Sequence, residues 1–165
     1  MISSMGGPLV AMPGLRVIFP SAAPTQVGGY SMSSWLSMAP GANPMTMMRA
    51  GDSEVATAVA YVHELIRREM ARGVPSTAIA VGGFSQGGLV AARAALSFED
   101  APLGGCLALS TFFGADEATV AAANAALPVL VAHGEADNVV PLTEGRRVAE
   151  CMRRLAPRAQ VRLET

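Results

Sequence analysis

Three short apolar runs, at residues 78–81, 106–109 and 129–132, alternate with helical stretches through the second half of the chain, and Val161-Arg162-Leu163 begins one more strand. No other feature restricts the fold as much. Each run is too short for a helix and too apolar to leave one face in water, so each reads as a strand buried on both sides. Strands of that kind, joined by helices, are parallel, because a parallel pair needs a crossover that a hairpin cannot supply. The sequence therefore predicts an α/β fold in one domain over residues 1–165: a mostly parallel sheet with helices on both faces, in three layers.

The first half is punctuated differently. Residues 15–19, Leu-Arg-Val-Ile-Phe, form another β-rich run that Pro20 stops. Residues 20–51 are rich in Pro, Gly, Ser and Met and carry Trp35 with five methionines, Met32, Met38, Met45, Met47 and Met48. An irregular segment of that length inside a compact domain usually serves function, and the expectation is a substrate-facing loop. Asp52 can cap the helix that follows, in which Val55, Val59, Val62, Ile66 and Met70 form one stripe, and Gly73 with Pro75 ends it. Further helices are expected at about 88–96, 118–126 and 143–155. The apolar window at 78–98 contains Arg93, Gly82, Gly83, Gly87 and Gly88, so it reads as strand, turn and helix rather than a membrane span.

Charge and cysteine usage exclude several classes of function. Twelve basic and 13 acidic residues, spread without runs, give a net charge of -1, which offers no footprint for nucleic acid. The two cysteines, Cys106 and Cys151, make neither a disulfide framework nor a metal-ligand spacing, and the opening residues from Met1 lack the pattern of a secretory signal. A cytoplasmic protein without a transmembrane segment is expected. No cofactor is implied, since the glycines at 82–88 lack the lysine of a phosphate-binding loop.

Gly83-Phe84-Ser85-Gln86-Gly87 fits the pattern G-x-S-x-G, with a strand before it and a helix after it. In that context the serine sits on a strained turn that lifts its hydroxyl above the sheet, and a Cβ at either flanking glycine would meet backbone. The N–H of Gln86, at the positive end of the following helix, would face an oxyanion forming on a substrate carbonyl. Asp137 follows the strand at 129–132, placing a carboxylate at the carboxyl end of the sheet and after the serine in chain order, as the acid of a Ser-Asp-His triad would be.

These residues resemble the acyl-protein thioesterase and phospholipase/carboxylesterase group of the α/β-hydrolases. The resemblance lies in Val17-Ile18-Phe19-Pro20 with Ala23-Pro24, the segment around Met32 and Trp35, the string from Gly83 to Gly88, and His133-Gly134-Glu135-Ala136-Asp137 with Val139-Val140-Pro141. It implies a serine hydrolase of carboxylic esters or thioesters, with Ser85 as nucleophile and Asp137 as triad acid. Acylated proteins, small esters or lysophospholipids would be its substrates, and Trp35 and Met32 would contact them. The methionine cluster suits an acyl groove, or equally fills gaps beneath a long loop.

The resemblance also implies parts that residues 1–165 do not contain: an early strand with a second oxyanion donor, and a base in a loop beyond the last strand. The fold would thus be shortened at both ends, with uncovered sheet edges through which copies could associate. The two histidines, His63 and His133, read as structural. Without a base a serine hydroxyl is a weak nucleophile, so negligible turnover is expected of these residues alone. A non-catalytic acyl- or partner-binding relative of the same fold is the alternative.

Overall fold

The computed structural model describes residues 13–37, 52–113 and 120–165. Strands β1 (Pro24–Val27) and β2 (Tyr30–Ser33) pair antiparallel around Gly28 and Gly29, both at positive φ, so part of the segment expected to be irregular is a tight hairpin. Helix α1 (Asp52–Ala71) follows, then β3 (Ala80–Phe84), α2 (Gln86–Ser97), β4 (Gly105–Leu109), β5 (Pro128–Ala132), α3 (Leu142–Leu155) and β6 (Gln160–Glu164). Gly73, at φ 93, ends α1: its N–H donates to Met70 O and that of Val74 to Glu69 O, the paired bonds of a left-handed helix cap.

Strands β3, β4, β5 and β6 form one parallel sheet in that order. Its register aligns Cys106 with Val129 and Ala108 with Val131, and these four buried side chains face the helices. There α2 packs on β3 and β4, α3 on β5 and β6, and α1 against α2, around Leu96, Phe98, Val148 and Met152. The next register row, Gly82–Leu107–Leu130, points the opposite way, and Leu107 is exposed. The parallel α/β fold is as expected. Among the described residues, however, helices cover one face of the sheet and not both.

Two elements differ from expectation for physical reasons. Residues 15–19 lie in no strand. They line one side of a groove of about 920 Å³ whose other walls are β3 and, from α1 and α2, Val62, Ile66 and Val90. A β-rich run becomes a strand only beside a hydrogen-bonding neighbour, and among the described residues this one has none. Arg16 instead pairs with the buried Glu69 of α1 at 3.1 Å.

The helix expected at 118–126 is, in its described part, a single 3₁₀ turn, Ala122–Asn124; residues 114–119 lie outside the described set. Buried Asn124 accounts for the turn. Its side chain donates to Phe98 O at 2.7 Å and accepts from the N–H of Leu103 at 2.8 Å, so three segments meet on one amide. No described helix is long and apolar enough to cross a membrane.

Candidate active site

Ser85 occupies the step from β3 to α2 at φ 54 and ψ -123, a backbone conformation that a residue with a Cβ adopts only when its surroundings hold it there. The surroundings are visible. Its N–H donates to Leu109 O at 2.9 Å, and its carbonyl accepts from the Thr111 hydroxyl at 2.6 Å and the N–H of Gly88 at 2.9 Å. The turn is thereby clipped to the end of β4 as well as to its own helix.

Two glycines make room for it. A Cβ on Gly83 would overlap the backbone carbonyl of Gly87, and one on Gly88 would stand 2.6 Å from the Thr111 Cβ. Gly87, expected from sequence to be sterically required, is not: a Cβ there would meet only the Trp35 Nε1, at 3.8 Å. The second required glycine is Gly88, one residue later, because it is Gly88 that crosses over buried Thr111.

Gln86 opens α2, so its N–H stands at the positive end of the helix beside Ser85. Its side-chain oxygen reaches the other way, accepting from the Ser34 hydroxyl at 2.8 Å and the N–H of Trp35 at 3.2 Å. Trp35 shares the large groove with Ser85 and Gln86, and its ring lies 6.2 Å from that of Tyr61. Met32 projects from β2 half exposed and outside this groove. Met38, Met45, Met47 and Met48 lie outside the described residues.

Asp137 lies in the loop after β5. Its Oδ1 accepts from the N–H groups of Val139 and Val140, each at 2.9 Å. These two bonds, that of Val140 foremost, hold the carboxyl below the ordinary aspartate range, and the Ser110 hydroxyl assists. Ser110 ends β4 at φ 39, with its N–H on Ala132 O at 2.8 Å. Ser85 and Asp137 thus stand at the same, carboxyl edge of the sheet, at the ends of strands separated by β4. With strands ~4.8 Å apart, the ends of β3 and β5 that carry them stand about 10 Å from each other.

Both histidines are engaged with backbone carbonyls, although the Nε2 of His133 also stands 3.9 Å from the Asp137 Oδ2. The His63 Nε2 lies 2.9 Å from Ala94 O, tying α1 to α2, and its ring packs edge-on against Phe98. The buried His133 lies 2.7 Å through Nε2 from Val140 O, so Nε2 carries the proton. Its ring is fitted against Gly145 of α3, where a Cβ would collide with it. Among the described residues, no group of His, Cys, Asp and Glu could hold a metal ion.

Thr111, Ser110, Gly88 and the side-chain role of Gln86 escaped sequence reasoning. Only the position of Ser110 and Thr111 just after an apolar run hinted at a place near the strand ends.

A strand, a serine at positive φ and a helix, set at the carboxyl edge of a parallel sheet with a carboxylate two strands along, define the α/β-hydrolase class. Comparison with known proteins narrows this: the sequence model of the phospholipase/carboxylesterase family matches residues 5–164, and the chain belongs to that family. It is 34% identical over 134 residues to acyl-protein thioesterase 1 of Gibberella zeae, covering 77% of this chain and 57% of that protein. It is 37% identical over 131 residues to a probable inactive carboxylesterase of Oryza sativa, covering 77% of this chain and 52% of that one. Among solved structures, SOBER1 of Arabidopsis thaliana superposes with a TM-score of 0.77 at 25% identity, over 89% of this chain and 72% of that one. The chain spans a little over half the length of these curated relatives.

Proposed function

We propose that this protein is a serine hydrolase of carboxylic esters or thioesters, of the acyl-protein thioesterase type, with Ser85 as nucleophile and Asp137 as the acid that orients the base. The observation that carries the reading is Ser85 held at φ 54 above the strand ends and half-buried on the wall of the groove, an arrangement that costs stability. The Ser85 Oγ would attack the acyl carbonyl carbon while a base takes its proton. The resulting oxyanion would meet the N–H of Gln86, and collapse would expel the alcohol or thiol and leave an acyl-serine for water to cleave. Acylated proteins, small esters and lysophospholipids are the substrates that suit this reading, in the cytoplasm.

Residues 1–165 hold two histidines, both engaged away from Ser85, and a missing triad histidine costs on the order of a millionfold in rate. Imidazole added to the solution supplies such a base. We expect p-nitrophenyl acetate hydrolysis by the chain to match its Ser85→Ala variant in plain buffer and to exceed it increasingly as imidazole rises. A large Ser85-dependent rate without imidazole would reveal a base among these residues. Equality of the two at every imidazole concentration would defeat the hydrolase reading. A second reading, a non-catalytic acyl-binding relative, would then lead; the name of the rice relative favours it.

A further inference from the structure

We propose that the Gln86 side chain is a positioning residue that fastens the Trp35 segment to the turn bearing Ser85, so that the nucleophile and the aromatic wall beside it move as one unit. The inference rests on the hydrolase reading only in treating that wall as part of a substrate site. The orientation of the amide is settled by chemistry: a backbone N–H can only donate, so the atom 3.2 Å from the Trp35 N is the Gln86 oxygen. The Ser34 hydroxyl reaches the same oxygen at 2.8 Å. Two consecutive residues therefore converge on one acceptor across a sequence gap of 51 residues.

The other hydrogen bonds of that stretch run elsewhere, that of the Ser37 N–H going to Glu54 of α1 at 3.1 Å. The Ser34 hydroxyl also lies 2.7 Å from Leu36 O, and its single hydrogen serves either that bond, internal to the segment, or the one to Gln86, so the Trp35 N–H is the donor that holds the Gln86 oxygen throughout. Leu36 is fully buried against Val55, Leu89, Phe112 and Val140, which secures the far side of Trp35 by packing. The side facing Ser85 has the Gln86 oxygen and the loose approach of the indole to Gly87. One residue thus presents its N–H beside the nucleophile and its carboxamide to the wall, so the depth of the groove at Ser85 is set from the helix N-terminus. A long apolar acyl group is the ligand class whose fit such a wall would govern, since Trp35, Val62, Ile66 and Val90 line the groove beyond it.

Trp35 is the only tryptophan of the 165 residues, so its fluorescence reports this segment directly. The experiment compares the emission maximum and acrylamide quenching of the chain with those of Gln86→Leu, Gln86→Met and Gln86→Glu, each checked for native far-UV circular dichroism. Gln86→Leu fills the same space without an acceptor; its emission should move to the red and its quenching rise about twofold or more as the segment opens locally. Gln86→Glu keeps an oxygen for the Trp35 N–H and should stay close to the wild type; a mere packing role would not separate it from Gln86→Leu, which fills similar space. A folded Gln86→Leu with wild-type emission and quenching overturns the proposal, as does a Gln86→Glu shifted equally far. Should Gln86→Leu fail to fold, Gln86→Met, of similar length and without an amide oxygen, takes its place: a red shift supports the clamp, and wild-type emission overturns it. None of these readings depends on turnover, so they stand or fall separately from the imidazole experiment.

Discussion

The Thr111 hydroxyl donates to the carbonyl oxygen of Ser85 at 2.6 Å from a side chain with no solvent exposure. It joins the end of one strand to the strained turn at the end of its neighbour, and the reverse link runs from the Ser85 N–H to Leu109 O. A residue at φ 54 stores on the order of 1–3 kcal/mol, which its neighbours must offset. Thr111→Val preserves shape and removes the donor, so it should lower unfolding stability by about 1–3 kcal/mol. Urea denaturation reads this as a lower midpoint at constant slope. An unchanged midpoint would mean that the N–H groups of Gly88 and Leu89 hold that carbonyl unaided.

The three glycines of the turn should separate cleanly. Gly83→Ala drives a Cβ into backbone that cannot yield, and Gly88→Ala drives one into buried Thr111; each is expected to prevent folding or to lose more than about 3 kcal/mol. Gly87→Ala meets only the edge of the Trp35 indole, and inside a helix alanine is favoured over glycine by about 1 kcal/mol. It should leave the melting temperature equal or raise it. Thermal melts of the three variants side by side test the ranking, and a Gly87→Ala as damaged as Gly83→Ala would contradict it.

That ranking also marks how far sequence reasoning reaches. Strands β4 to β6 and helices α2 and α3 were legible to within two residues, and β3 to within three, because their apolar runs and caps are local signals. The same signals mark Ser85, Gln86 and Asp137 as neighbours of strand ends. Residues 15–19 carry strand propensity yet lie in no strand, because pairing is a property of what stands alongside. The choice between Gly87 and Gly88 depends on Thr111, 23 residues or more away, which no pattern within the motif encodes. Trp35 reaches the groove and Met32 does not because Gln86 pulls on the segment after β2, while the hairpin itself points outward.

Asp137 makes a prediction in pH. Its folded carboxyl titrates below the ordinary range because the N–H groups of Val140 and Val139 favour the charged form. A depressed acid binds its proton less readily folded than unfolded, so its contribution is present above the unfolded pKa, near 3.9, and is lost as pH falls through the folded value. Asp137→Ala should therefore be less stable than the wild type at neutral pH, and the two denaturation midpoints should converge in acid. A difference that is constant with pH would assign the effect to lost backbone bonds alone rather than to the charge.

Asn124 offers the opposite sign. Its amide donates to Phe98 O and accepts from the N–H of Leu103 while almost wholly buried, and Asn124→Ala would strand both partners, at a cost on the order of 2–5 kcal/mol. Asn124→Asp keeps the shape and is the more informative change. Protonated, a carboxylic acid can still accept from Leu103 and donate to Phe98 O; ionised, it faces that carbonyl with two acceptors and a buried charge. The folded pKa of the introduced acid is thus raised above its unfolded value. Its stabilising contribution is complete below the unfolded pKa and is lost as pH rises through the folded one. Relative to the wild type at each pH, Asn124→Asp should come closest in acid and fall behind steadily toward neutrality. A deficit that shrinks as pH rises would show that the site accommodates the carboxylate, and the segments joined at Asn124 would then need another source of cohesion.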